Sequence, residues 1–142
     1  MAETALWEWL KPFCPQGHYT RVENGEAGPG TPDVYYRLPM TSGWIELKDA
    51  RHPKSKIPFP NEKVGLHLSQ RIWIREELEK GGLVWILARV GKEILFIPGM
   101  WYNDFNGASI EALRDSMSML RFKTTDSYIP VRKIQLRLMG AL

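Results

Sequence analysis

The chain has 142 residues, enough for one compact domain with a real core, and its hydrophobic share of 44% is ordinary for a globular protein. The net charge of +3 is compatible with a nucleic-acid partner without demanding one. The single cysteine, Cys14, excludes an intrachain disulfide, no Cys/His spacing of the zinc type occurs, and no apolar run is long enough to span a membrane. The first residues lack the basic-then-apolar pattern of a signal peptide, so the expected setting is reducing, intracellular and cytoplasmic.

ETALWEWLKPF reads as a short helix with Thr4 as its N-cap, Leu6, Trp9, Leu10 and Phe13 on one face, and Pro12 and Pro15 at its end. HYTRVEN reads as a short strand and GEAGPGTP as a loop. DVYYRLP and GWIELKDA form a hairpin whose turn lies near Thr41-Ser42. The proline- and lysine-rich stretch from His52 to Gly65 is an irregular loop. LHLSQRIWIREELEK is the best helix: Ser69 or an earlier residue starts it, Ile72, Trp73 and Leu78 mark its buried side, and Gly81-Gly82 stops it. LVWILARV suits a central strand buried on both faces, with KEILFIPG as its hairpin partner. A further helix is expected over 109–120, capped by Ser109, and the tail YIPVRKIQLRLM reads as a strand because it alternates apolar and basic residues. This order describes one α/β domain over 1–142, a central mixed sheet flanked by helices.

The hairpin carries the chemistry. Side chains alternate along a strand, so Glu46 and Lys48 face one way while Ile45 and Leu47 face a core. The expected turn sets Asp33 opposite Lys48 and diagonal to Glu46, so three polar groups meet at one end of the hairpin. Two carboxylates repel, and burying them is costly unless a cation offsets their charge. Their hard oxygens suit Mg²⁺ or Mn²⁺. Such an ion polarises a phosphoryl oxygen and acidifies a bound water, and a nearby lysine can stabilise developing negative charge. Together these groups are a minimal apparatus for cutting phosphodiesters. Taken alone, ELK reads as a surface ion pair and Asp33 as a turn residue after proline.

Pro32-Asp33 followed by Glu46-Leu47-Lys48 resembles the PD-(D/E)xK nuclease superfamily. The likeness is closer to its VRR-Nuc and Holliday-junction-resolvase branch, where a G-x-PD strand and an ELK strand precede a helix with a glutamine and an aromatic. Here those are Gly30 to Asp33, then Gln70 and Trp73, with GGLVWILARV after the helix. The resemblance covers residues 3–98 and implies a restriction-endonuclease-like core. It also implies that Asp33 and Glu46 bind metal, joined by the Leu47 carbonyl, that Lys48 assists catalysis, and that Gln70 sits at the site's edge. Relatives often add an acidic residue from the first helix; Glu8 fits by position and Glu23 is its rival. Small members of this family are often homodimers acting on branched DNA, which suits two symmetric cuts. Trp7, Trp9, Trp101 and Tyr102 could supply a dimer surface, although each one singly suits ordinary core. A phage or mobile-element origin would suit such a nuclease.

Cleavage without base preference depends on backbone contacts. The loop after Lys48 and the next helix place Arg51, Lys54, Lys56, Arg71 and Arg75 on the expected DNA approach, although any basic cluster also reads as solvated surface. A second basic group, Arg121, Lys123, Arg132, Lys133 and Arg137, lies near the C-terminus. Two alternatives to a structure-specific endonuclease stand beside it: a non-catalytic DNA-binding module of the same fold, and a sequence-specific restriction-type enzyme.

Overall fold

The computed structural model describes residues 2–22 and 28–140. Helix α1 (Ala2–Leu10) leads through a 3₁₀ turn (Lys11–Phe13) into β1 (His18–Arg21), β2 (Val34–Leu38) and β3 (Thr41–Ala50). Helix α2 (Leu68–Glu79) then crosses to β4 (Val84–Val90), followed by β5 (Glu93–Pro98), a π-wound helical segment (Ala112–Met117), β6 (Leu120–Lys123) and α3 (Val131–Leu138). The six strands lie in sequence order in one open mixed sheet. Only β3 and β4 pair in parallel, because α2 carries the chain back over the sheet between them. Two antiparallel meanders are thereby joined along the centre.

Each face has its own core. One buries Val34, Tyr36, Ile45, Leu47 and Leu87 against Leu6, Trp7 and Leu10 of α1 and Ile134 and Leu138 of α3. The other buries Ile86, Ala88, Leu95 and Ile97 against Ile74 of α2, Phe59, Leu66 and Phe105. β4 is thus the doubly covered central strand that its apolar run implies. Trp7 and Trp9 belong to the first of these cores, and Trp101 and Tyr102 pack against the second.

Several expectations are corrected. The tail is a helix: Ile134 and Leu138, four residues apart, are the buried pair, and an alternating pattern concealed that spacing. The segment expected as helix over 109–120 ends at Met117, and Leu120–Lys123 pairs with β5 as an edge strand. Ser109 does cap, accepting from the Ala112 amide at 3.1 Å. Thr4 lies inside α1, whereas α2 starts at Leu68 with His67 as its cap, in keeping with an expected start at Ser69 or an earlier residue. On α2 the buried residue is Ile74, whereas Ile72 is exposed. The hairpin turn is Pro39-Met40, two residues earlier than expected, since Leu38 pairs with Thr41. Proline followed by a residue at φ 67° is the pattern of a type II turn. Among the described residues, no helix is long and apolar enough to cross a membrane.

Candidate metal centre

The turn shift changes which residues meet. Val34 pairs with Ile45, so continuing the register places Asp33 opposite Glu46 rather than Lys48. A displacement of two residues leaves every side chain on its original face. Asp33 and Glu46 therefore still share a face, on the α2 side of the sheet. The Asp33 Oδ2 accepts a hydrogen bond from the Leu47 amide at 2.8 Å. A residue's N–H and C=O point to the same edge of a strand, so the Leu47 carbonyl lies on the β2 edge as well.

Glu46 is 1% exposed. Its Oε2 accepts from Gln70 Nε2 at 3.1 Å and lies 3.4 Å from Lys48 Nζ. Its Oε1 is buried without a partner. Burial first, and then the neighbouring Asp33 charge, hold its carboxyl well above the ordinary glutamate range, with Lys48 acting in the opposite direction.

Gln70 organises this corner. Its Oε1 accepts from Lys48 Nζ at 3.2 Å and from the His67 amide at 2.9 Å, so its amide nitrogen is the group turned to Glu46. As N3 of α2 it also forms half of a capping box with His67. One side chain therefore fixes the helix start, the lysine and the buried carboxylate together. The Gly-x-Pro-Asp lead-in has a steric cause here. Gly30 takes φ +84° and lies so close to the Ser69–Gln70 peptide that any Cβ would collide with the Ser69 carbonyl. Trp73 packs edge-on against Trp44 at 4.9 Å, holding α2 to β3.

Glu8 is not brought to this centre. It is exposed on α1, and α1 covers the opposite face of the sheet from Glu46. Its rival Glu23 lies outside the described residues. Among those described, no group of three or more His, Cys, Asp or Glu side chains is placed to hold a metal. The oxygens that could hold a cation here are those of Asp33, Glu46 Oε1 and the Leu47 carbonyl. These are hard oxygen donors of the kind Mg²⁺ or Mn²⁺ takes, and Glu46 Oε1 is buried without a hydrogen-bond partner, while Lys48 and Arg21 set one positive charge beside each carboxylate.

Arg21 joins the site without any signal in the sequence. From the edge strand β1 its Nη1 reaches the Asp33 carbonyl at 3.1 Å and Oδ1 at 3.3 Å. It does so because Arg21 pairs with Val34, a register that no local pattern reveals.

The basic residues expected on the DNA approach fall into two groups. Arg51 lies 3.7 Å from Asp49, Arg71 2.9 Å from Glu62 and Arg75 3.7 Å from Glu79. Lys54 and Lys56 are exposed and carry no ion pair among the described residues. Just beyond Lys48, Asp49 is enclosed in a two-pronged pair with Arg89 at 3.0 and 2.6 Å, which fastens β3 to β4. No protein-family model matches this sequence, and no curated protein shows significant similarity to it.

Proposed function

We propose that the chain is a metal-dependent, structure-specific DNA endonuclease of the PD-(D/E)xK superfamily, in its VRR-Nuc and Holliday-junction-resolvase-like branch, with a restriction-endonuclease-like core. The observation that carries this reading is Glu46: fully buried, with one oxygen held by Gln70 and the other unpartnered beside Asp33. Buried carboxylates with perturbed titration and a specific charge partner cluster at functional sites. Asp33, Glu46 and the Leu47 carbonyl would hold Mg²⁺, with Mn²⁺ as a substitute. The cation supplies electrophilic activation of a phosphodiester. Lys48 holds a positive charge at the same corner, suited to a phosphate or to the negative charge that develops on it. Gln70 keeps Lys48 and Glu46 in place, and Arg21 restrains Asp33.

The substrate is branched DNA and the acting species a homodimer, since two symmetric cuts need two sites. The test is a panel of labelled four-way junction, flap and plain duplex, each with Mg²⁺, Mn²⁺ or EDTA. Cutting of the branched substrates that depends on the cation is expected. If no substrate is cut with either ion, the enzyme reading falls and a binding module takes its place. Discrete bands from long linear duplex would instead indicate a sequence-specific enzyme.

A further inference from the structure

The loop that follows β3 encloses a cavity of about 370 Å³. It begins at Asp49, the residue after Lys48, and Ala50, roughly 7 Å along the strand from Lys48, and none of Asp33, Glu46 or Lys48 lines it. Beside the polar His52, Ser55 and Asn61, and Asp49 in its pair with Arg89, two groups stand out in its lining. Ile57 and Val64 are apolar yet 40% and 50% exposed, and they lie among prolines. Lys54 and Lys63 also line it, both exposed and both without an ion pair among the described residues. The one acid of the loop, Glu62, is occupied by Arg71 at 2.9 Å.

The loop is irregular but firmly held. Phe59 stacks on Phe105 at 4.8 Å, and its carbonyl accepts from the Gly107 amide at 2.9 Å. The Ile110 amide donates to the Lys56 carbonyl at 2.8 Å. The Asn106 side chain clamps the Leu66 backbone with two bonds of 2.8 Å, one given and one received. Gly65 permits this approach, since a Cβ there would strike the Asn106 amide. Residues 105–110, which match no part of the sequence motif, therefore buttress a cavity formed before any ligand arrives.

A preformed cavity that offers exposed apolar side chains beside lysines without ion pairs suits a planar base attached to phosphates. The outside of a duplex offers phosphates but hides its base faces, leaving the floor without a partner. We propose that this cavity receives an unpaired nucleotide of the DNA strand leaving the metal centre, its base on Ile57 and Val64 and its phosphates on Lys54 and Lys63. The inference rests on the endonuclease reading and gives it a basis for preferring branches and flaps. Phe59 is 2% exposed, so the one aromatic ring the cavity offers is the exposed His52 imidazole, and the base is held there by shape, apolar contact and stacking, all without sequence preference.

The test uses the full chain carrying Asp33→Asn, in EDTA, and reads fluorescence anisotropy of a labelled oligo-dT and of a duplex of the same length. Adding Ile57→Glu and Val64→Glu, both at exposed positions, should weaken single-strand binding on the order of tenfold while duplex binding changes by less than about twofold. Lys54→Ala and Lys63→Ala, which remove no apolar surface, should each reduce the salt slope of single-strand binding by about one. Equal loss on both DNAs, no loss on either, or no single-strand binding at all would overturn the proposal. The two readings fail separately. A strand-selective loss in a protein that cuts nothing leaves the cavity standing without the nuclease. Metal-dependent cutting with unchanged single-strand binding in the glutamate variants does the reverse.

Discussion

The two faces of β3 are buried alike and built differently. Ile45 and Leu47, 1% and 0% exposed, close an apolar core under α1 and α3. Glu46 between them is 1% exposed and charged, next to the apolar Ile86 on β4. An apolar side chain at 46 would continue the second core without penalty, whereas a buried carboxylate that lacks full compensation costs several kcal/mol by general experience, about 3–5 when its partner is removed. What separates the faces is not burial but what each asks of its neighbours. One face needs volume filled. The other needs Gln70 and Lys48 to make it tolerable, and it leaves Glu46 Oε1 unpartnered for the cation we propose.

The sharpest way to break that comparison is to neutralise the odd side chain. Glu46→Gln should lower cleavage by at least about a thousandfold while stabilising the metal-free protein by on the order of 1 kcal/mol. The pH dependence has a definite sign. Because the fold holds the Glu46 carboxyl above its unfolded value, the associated stability is complete below about pH 4.3 and is lost as pH rises through the raised value. In EDTA, thermal midpoints of the wild type should therefore fall more on going from acid to neutral pH than those of Glu46→Gln. Mg²⁺ or Mn²⁺ should restore the wild type alone. Parallel pH curves for the two proteins would show that Glu46 is fully compensated without a cation. Asp33→Asn should likewise abolish cutting while keeping DNA binding, or strengthening it, since one anion facing the phosphates is removed. Loss of binding would mark Asp33 as structural.

A smaller break removes the support and leaves the carboxylates. Gln70→Ala removes one partner each from Glu46 Oε2 and Lys48 Nζ, leaving only their mutual ion pair, and such outer-shell losses typically cost 10–100-fold in metal affinity or activity. A Mn²⁺ titration separates this from the accompanying loss of the capping box, which lowers stability by about 1 kcal/mol without altering metal affinity. Unchanged Mn²⁺ affinity would reduce Gln70 to a helix cap.

Much of this contrast was legible in the sequence. Alternation along GWIELKDA separates Ile45 and Leu47 from Glu46 and Lys48 whatever the turn, because a two-residue shift conserves faces. That is why Asp33 and Glu46 share a face despite the misplaced turn, although the residue opposite Asp33 changes from Lys48 to Glu46. The turn itself was illegible for a physical reason. Ser42 and Gly43 look like turn residues, yet Gly43 lies within β3, where the Tyr36 ring passes so closely that a Cβ would strike it. Tyr36 crosses there to donate to the Leu138 carbonyl at 2.7 Å, a contact spanning most of the chain. Arg21 and the Asn106 clamp were hidden likewise, since both depend on which strand or loop arrives alongside. Glu8 was placed by analogy alone, and the packing of Leu6, Trp7 and Leu10 turns α1 to the other face.

The Asn106 clamp tests whether the cavity loop and the metal centre are separable. Asn106→Ala leaves the Leu66 N–H and C=O without their partners, a cost of about 1–3 kcal/mol per buried group left unpaired. Limited proteolysis should then cut within residues 52–66 faster. Mn²⁺ affinity should stay as in the wild type, because the loop donates no ligand. A parallel fall in Mn²⁺ affinity would show that the loop and the carboxylates form one unit.

The smallest expected effect concerns the register that sets the two faces. Met40 is fully exposed, so its side chain contributes no packing, yet it holds φ 67°, a conformation that costs a residue with a Cβ about 1–2 kcal/mol. Glycine adopts that conformation freely but loses more entropy on folding, roughly 0.5–1 kcal/mol. Met40→Gly should therefore stabilise the protein by at most about 1 kcal/mol, read as a rise in the denaturant midpoint at unchanged slope. Cleavage should not change, because Leu38 still pairs with Thr41 and Asp33 still faces Glu46. If glycine instead lowered cleavage, the turn residue would be holding the register that brings the two carboxylates together, and the apolar alternation of β3 would not be sufficient to fix it.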